Sequence, residues 1–133
     1  MSSSNNKQSY TDPSTLNLTV SIPSYEIQSS WSGSVAFFRI VVTDAESGTT
    51  ATVLKRFNTF YDLRNALEEK YEKSLNPIDL PSLPAKKWKL LQDHSDPEFL
   101  TERRYALQEF FRRLCDIPGI GHDELVRGYL SLK

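Results

Sequence analysis

One cysteine, two histidines and five glycines are all that the 133 residues offer of three types on which much protein chemistry depends. A lone Cys115 has no internal disulfide partner, and it fits a reducing compartment. His94 and His122 fall in expected loops, without the Cys or Asp spacing of a nucleophilic triad or a zinc site. The one close glycine pair, Gly119-Ile-Gly121, lacks the following lysine and the preceding strand of a phosphate-cradling loop. Catalytic residues, metal ligands and cofactors are therefore not expected. No run approaches the roughly 18 apolar residues of a membrane span. The opening Met1-Ser-Ser-Ser-Asn-Asn-Lys-Gln has no apolar signal core, so a cytoplasmic chain with at most peripheral membrane contact is expected. Charge of one sign is scarce as well. The net value is −1, and residues 55–113 hold 12 basic against 10 acidic side chains, too little for a nucleic-acid binder that lives on bulk phosphate contacts.

What is present fits one compact domain: 133 residues, 38% hydrophobic and 11% aromatic. Residues 1–15 are polar and rich in Ser and Asn, and are expected to be a flexible lead-in. Leu16, Leu18, Val20 and Ile22 alternate with Asn17, Thr19 and Ser21, the period of a strand buried on one face, with a break expected at Pro23. Ser29 to Ser34 reads as a loop, Val35 to Thr43 as a second strand, Asp44 to Gly48 as a turn, and Thr50 to Phe57 as a third strand. Short links between them predict an antiparallel meander. Phe60, Leu63, Leu67 and Tyr71 then recur at helical spacing, with Asn58 or Thr59 available as N-cap. Pro77, Pro81 and Pro84 punctuate a long connection from Ser74 to Ser95, and long irregular loops in small domains are often functional. Asp96-Pro97-Glu98 supplies a cap, a first-turn proline and an acid for a helix that stops near Ile117-Pro118-Gly119. A last short helix is expected within Asp123 to Leu130. The fold class is α+β: a three-stranded antiparallel meander packed against a small helical subdomain, with a proline-rich loop between the helices.

Three cations stand where an unpaired charge is costly. Arg56 closes the third strand between Leu54 and Phe57, and Lys86 follows the stiff stretch Leu80-Pro-Ser-Leu-Pro-Ala. Arg103 lies three residues after Leu100 and four before Leu107, which places its guanidinium on the apolar stripe of its helix. A buried cation needs a partner, either an acid of the domain such as Asp62 or a bound anion.

Three motifs in order carry a family resemblance. Lys55-Arg-Phe-Asn-Thr-Phe60 resembles the basic-Arg-aromatic-Ser-x-Phe run of the phox-homology (PX) domain. Leu80-Pro-Ser-Leu-Pro-Ala-Lys86 is similar to that family's proline loop ending in Pro-x-Lys, and Glu102-Arg103 with Leu107 resembles its next helix. The resemblance covers residues 16–132 and extends to PX domains of trafficking proteins such as sorting nexins and a soluble vacuolar SNARE.

That resemblance implies a monomeric module that binds phosphatidylinositol 3-phosphate and recruits its protein to endosomal or vacuolar membranes, alongside trafficking or fusion proteins. Arg56 matches the clamp on the 3-phosphate and Phe57 the aromatic beneath the inositol. Lys86 matches the lysine on the 1-phosphate, with Lys87 as an additional headgroup contact. Arg103 matches the arginine on the 4- and 5-hydroxyls. Phe57 in place of Tyr and Asn58 in place of Ser depart from the commoner pattern without removing charge. The run Lys86-Lys-Trp-Lys-Leu-Leu91 interleaves three lysines with apolar side chains, which suits membrane insertion by Trp88, Leu90 and Leu91. Packing of Trp88 as a lid on the core is the alternative, and Trp31, isolated among serines, is a lesser candidate for insertion. The competing function is a protein-interaction adaptor that presents Pro81-x-x-Pro84 as a polyproline ligand.

Overall fold

Alternating apolar and polar side chains carry the N-terminal half into three strands, β1 (Leu18–Ser30), β2 (Gly33–Asp44) and β3 (Thr49–Arg56). They form one antiparallel sheet in the order β1-β2-β3. Helices α1 (Phe57–Glu72) and α2 (Pro97–Cys115), a 3-10 turn (Ile120–His122) and α3 (Glu124–Tyr129) follow. The computed structural model describes residues 18–74, 78–85 and 96–132. The lead-in 1–15, Leu16, and the Lys86 to Leu91 segment expected to meet a membrane lie outside these.

Ile22, Phe38, Ile40 and Val42 of the sheet meet Phe60 and Leu67 of α1 and Leu107, Phe110, Phe111 and Leu114 of α2, all essentially sealed from solvent. Each such side chain contributes about 1.5–3 kcal/mol by leaving water. The rings meet edge to face: Phe60 lies 6.3 Å from Phe38 and 5.8 Å from Phe111 between centroids, the arrangement that ring quadrupoles favour. This core fixes α1 and α2 against the sheet, and with them the end of β3.

Two expectations about strand ends need correction. Pro23 does not end the first strand. Pairing runs from Ser21↔Val41 to Ser24↔Arg39, which inserts one extra residue on β1, and Pro23 sits in that bulge on an edge strand, where its missing N–H costs no ladder bond. Side chains of α2 complete the interrupted ladder. The Ile22 N–H donates to Gln108 Oε1 at 2.7 Å, and Arg104 Nη1 donates to the Ile22 carbonyl at 2.7 Å. The expected Ser29–Ser34 loop shrinks accordingly to a turn at Trp31 and Ser32, which Gly33 leaves with φ +131°.

Where β3 ends, Phe57 begins α1 and does not belong to the strand. The N-cap position is Arg56, in extended backbone, without a side-chain cap. Thr59, expected as a cap, instead donates its hydroxyl to the Arg56 carbonyl at 2.7 Å. The start of α2 follows expectation, with the Asp96 side chain accepting from the Glu98 N–H and Pro97 in the first turn. Gly119, at φ +83°, turns the chain toward α3 in the left-handed region. Asp123 caps α3 through the N–H groups of Leu125 and Val126 and also accepts from Lys70 Nζ at 2.8 Å and from the Tyr71 hydroxyl. Arg127 Nη2 pairs with the buried Asp44 at 3.2 Å, tying α3 to the end of β2.

Candidate functional site

β3 delivers Arg56 to the surface, and the chain turns into α1 at the next residue. Arg56 is exposed and makes no ion pair or side-chain hydrogen bond among the described residues. The first turn of α1 holds no acidic residue and no side-chain cap. Its leading N–H groups and the positive end of its dipole therefore add to the Arg56 charge.

Phe57, half-buried, is the bridge to Arg103. The Arg103 guanidinium lies 3.5 Å from the centroid of the Phe57 ring and 4.4 Å from that of Phe99, four residues earlier on α2. Arg103 is 6% exposed, yet among the described residues no carboxylate lies within 4.0 Å of it. Asp62, the acid that could have neutralised it, is exposed on α1 and does not pair with it. One N–H of Arg103 donates to the Ala85 carbonyl at a long 3.4 Å. Burial pulls its pKa below the ordinary guanidinium value, and Tyr61 opposes that shift. The group stays charged at neutral pH all the same. Five N–H donors with one protein acceptor among the described residues form a fork that suits an anion or vicinal hydroxyls.

Residues 78–85 of the proline loop belong to no helix or strand, so their carbonyls need donors from elsewhere. Arg64 Nε donates to Pro81 O at 2.7 Å, the Tyr61 hydroxyl donates to Pro84 O, and Arg103 reaches Ala85 O. Ile78, Leu80 and Leu83 pack on the core beneath. The loop is therefore held up to residue 85. Lys86, Lys87, Trp88, Leu90 and Leu91 lie outside the described residues.

Of the four expected headgroup residues, Arg103 lies against the ring of Phe57, Arg56 is the neighbour of Phe57 in the chain, and Lys86 is outside the described residues. Tyr61, Arg64 and Phe99 were not singled out by motif reading, although Tyr61 and Arg64 follow Phe57 at helical spacing and Phe99 precedes Arg103 by four. Trp31 stands 99% exposed at the β1–β2 tip. Arg56 pairs with Phe37, so the tip extends past it by the four residues from Gly33 to Phe37, roughly 13 Å along the strand. Trp31 and Arg56 thus lie toward the same end of the sheet.

A three-stranded antiparallel sheet, helices behind it, and a clamped proline loop beside two arginines define a PX-type module. Residues 44–133 match the PX domain, and the chain belongs to that family. Human sorting nexin-4 is 32% identical over 94 residues, which cover 67% of this chain and 20% of that protein. The rat serine/threonine-protein kinase Sgk3 is 27% identical over 114 residues, 86% of this chain and 21% of that one. Among solved structures, a designed CISK-PX domain superposes with TM-score 0.70 at 28% identity, covering 84% of this chain and 97% of its own. The chain spans about a fifth of the length of the curated relatives it matches. PX domains are in general phosphoinositide-binding, non-enzymatic modules of membrane-trafficking proteins. Among the described residues, no helix is long and apolar enough to cross a membrane.

Proposed function

We propose that this domain recruits its protein to membranes containing phosphatidylinositol 3-phosphate, as a peripheral, cytoplasmic reader on endosomal or vacuolar surfaces. Arg56 clamps the 3-phosphate with a bidentate fork beside the open end of α1. Arg103 takes the 4- and 5-hydroxyls and leaves little room for phosphates there. Phe57 seats Arg103 with one face and offers the rest of its ring to the inositol. Lys86 meets the 1-phosphate with Lys87 beside it, while Trp88, Leu90 and Leu91 enter the bilayer. In a longer protein the domain serves trafficking or fusion.

The observation that carries this reading is Arg103: buried, stacked on two aromatic rings, and without a carboxylate among the described residues. An unpaired buried cation is costly, and a bound polar headgroup offsets that cost. The adaptor reading has weaker support, because the Pro81 and Pro84 carbonyls are already engaged by Arg64 and Tyr61 within the domain. Co-sedimentation with liposomes tests the proposal. Retention is expected on vesicles carrying the 3-phosphate, and weaker retention on those carrying 4,5-bisphosphate. Equal retention on both would remove the selectivity, and no retention on either would remove the function.

A further inference from the structure

Tyr61 touches one support of Arg103 directly, Phe57, and the peptide next to another, Ala85, although no headgroup motif includes it. Its ring meets Phe57 edge-on, with centroids 5.4 Å apart and planes at 77°, and Phe57 carries the guanidinium at 3.5 Å. Its hydroxyl donates to the Pro84 carbonyl, one peptide before the Ala85 carbonyl that accepts from Arg103 at 3.4 Å. Both contacts are partly buried, where a carbonyl that loses its donor is costly.

We infer that Tyr61 is a positioning residue for Arg103: it holds the end of the proline loop so that Ala85 and Phe57 together fix the direction of the guanidinium. The inference rests on the reading of Arg103 as a headgroup contact, and it assigns Tyr61 no contact with lipid. Its basis is geometric. A guanidinium held against the Phe57 and Phe99 rings can still slide and turn in its own plane, and the bond to Ala85, the one hydrogen bond it makes among the described residues, is what sets its rotation. That bond is only as well placed as the carbonyl, and the carbonyl is placed by the neighbouring Pro84 peptide. Arg64, which holds Pro81 at 2.7 Å, is a second and more remote fastening of the same loop.

The test is a double-mutant cycle read with soluble dibutanoyl phosphatidylinositol 3-phosphate by calorimetry. Tyr61→Phe should lower affinity about three- to tenfold, the worth of one misplaced hydrogen bond. In an Arg103→Gln background the same change should have no further effect, because the residue through which Tyr61 acts is gone. A merely structural tyrosine would add its loss in both backgrounds, and that additivity, or wild-type affinity in Tyr61→Phe, would overturn the inference. Arg64→Gln, read in the same cycle, replaces Tyr61→Phe should the latter not stay folded, and should show a smaller loss of the same kind. A ligand-free readout separates this from failure of the lipid reading. The Arg103 Nε–H resonance should shift and exchange faster with water in Tyr61→Phe than in wild type. An unchanged resonance sinks the positioning role whatever the lipid does, whereas retained headgroup affinity in Arg56→Ala sinks the lipid reading alone.

Discussion

Arg103 carries its guanidinium 3.5 Å above the Phe57 ring, so one cation of the site is seated on the residue that directly follows the other, Arg56. Residues 46 positions apart along the chain thereby act as one surface, and the β3–α1 junction sets the position of an α2 side chain. The ring does more than fill space, since cation–π attraction is worth about 0.5–2 kcal/mol depending on desolvation.

Phe57→Leu should therefore keep the fold while lowering affinity for a soluble 3-phosphate headgroup, by about 2- to 30-fold on that scale. Phe57→Tyr should bind as wild type, because the ring survives. Calorimetry on both variants checks this, and wild-type affinity in the leucine variant would show that the stacking does not matter to binding.

Arg56 separates function from stability. It is exposed and makes no ion pair among the described residues, so Arg56→Ala should change stability by no more than about 0.5 kcal/mol. Specific lipid binding should nevertheless be lost with its charge-assisted contacts. A thermal melt beside liposome co-sedimentation decides it. A folded variant that still bound would place the 3-phosphate elsewhere.

The strands, both long helices and the place of Arg103 on the apolar side of its helix were legible in the sequence because each follows from a local period. Arg103 stood out because a cation broke an apolar stripe, and it is buried as that stripe requires. What was not legible depends on contacts distant in sequence. Pro23 reads locally as a strand end, yet β1 continues because Gln108 and Arg104, more than 80 residues away, satisfy the Ile22 peptide. Tyr61 and Arg64 resemble ordinary surface residues of α1 until the proline loop is laid across them. Asn58 and Thr59 looked like caps because their residue types favour that role, but Arg56 takes the position by virtue of where the sheet ends.

Asp123 links α3 to α1 and should govern acid stability. Burial by itself would raise its pKa, but hydrogen bonds from Lys70, Tyr71 and the Leu125 N–H outweigh that and hold it below 3.8. A carboxyl with a depressed folded pKa contributes stability that is present above its unfolded value and lost as pH falls through the folded one. Asp44, held down against burial by Arg127, acts in the same sense. Urea melts should show stability falling below about pH 3.8, with a shallower but remaining slope in Asp123→Asn. At pH 7 that variant should cost about 1–3 kcal/mol, since it weakens charged hydrogen bonds to a buried group. An unchanged acid slope would mean that Asp123 does not control it.

Cys115 should be inert in the folded chain. Burial, with a smaller push from Asp116, raises its thiol pKa from 9.0 to about 11, and the thiolate is the reactive form. Two pH units correspond to about a hundredfold less thiolate at neutral pH, before any loss of access is counted. Reaction with a thiol-specific disulfide reagent should be at least that much slower in buffer than in urea. Rapid native labelling would show that the end of α2 opens readily.

Membrane attachment should combine a stereospecific pocket with nonspecific insertion, because one headgroup buries too little apolar surface to hold a domain firmly on a bilayer. Trp31 is 99% exposed at the end of the sheet where Arg56 lies, so removing it costs no packing. Trp31→Ala should leave both the melting temperature and soluble-headgroup affinity unchanged, while lowering retention on 3-phosphate vesicles by about tenfold or more, the order expected for one large apolar side chain. Trp88→Ala combined with Leu90→Ala should give the same separation if that loop inserts. A large fall in melting temperature with parallel loss of both affinities would instead make Trp88 part of the core. Replacing Lys87 and Lys89 should act through charge, with the contribution of anionic lipid fading as salt rises. Vesicle retention unchanged in all three variants would mean that the pocket alone holds the domain on the membrane.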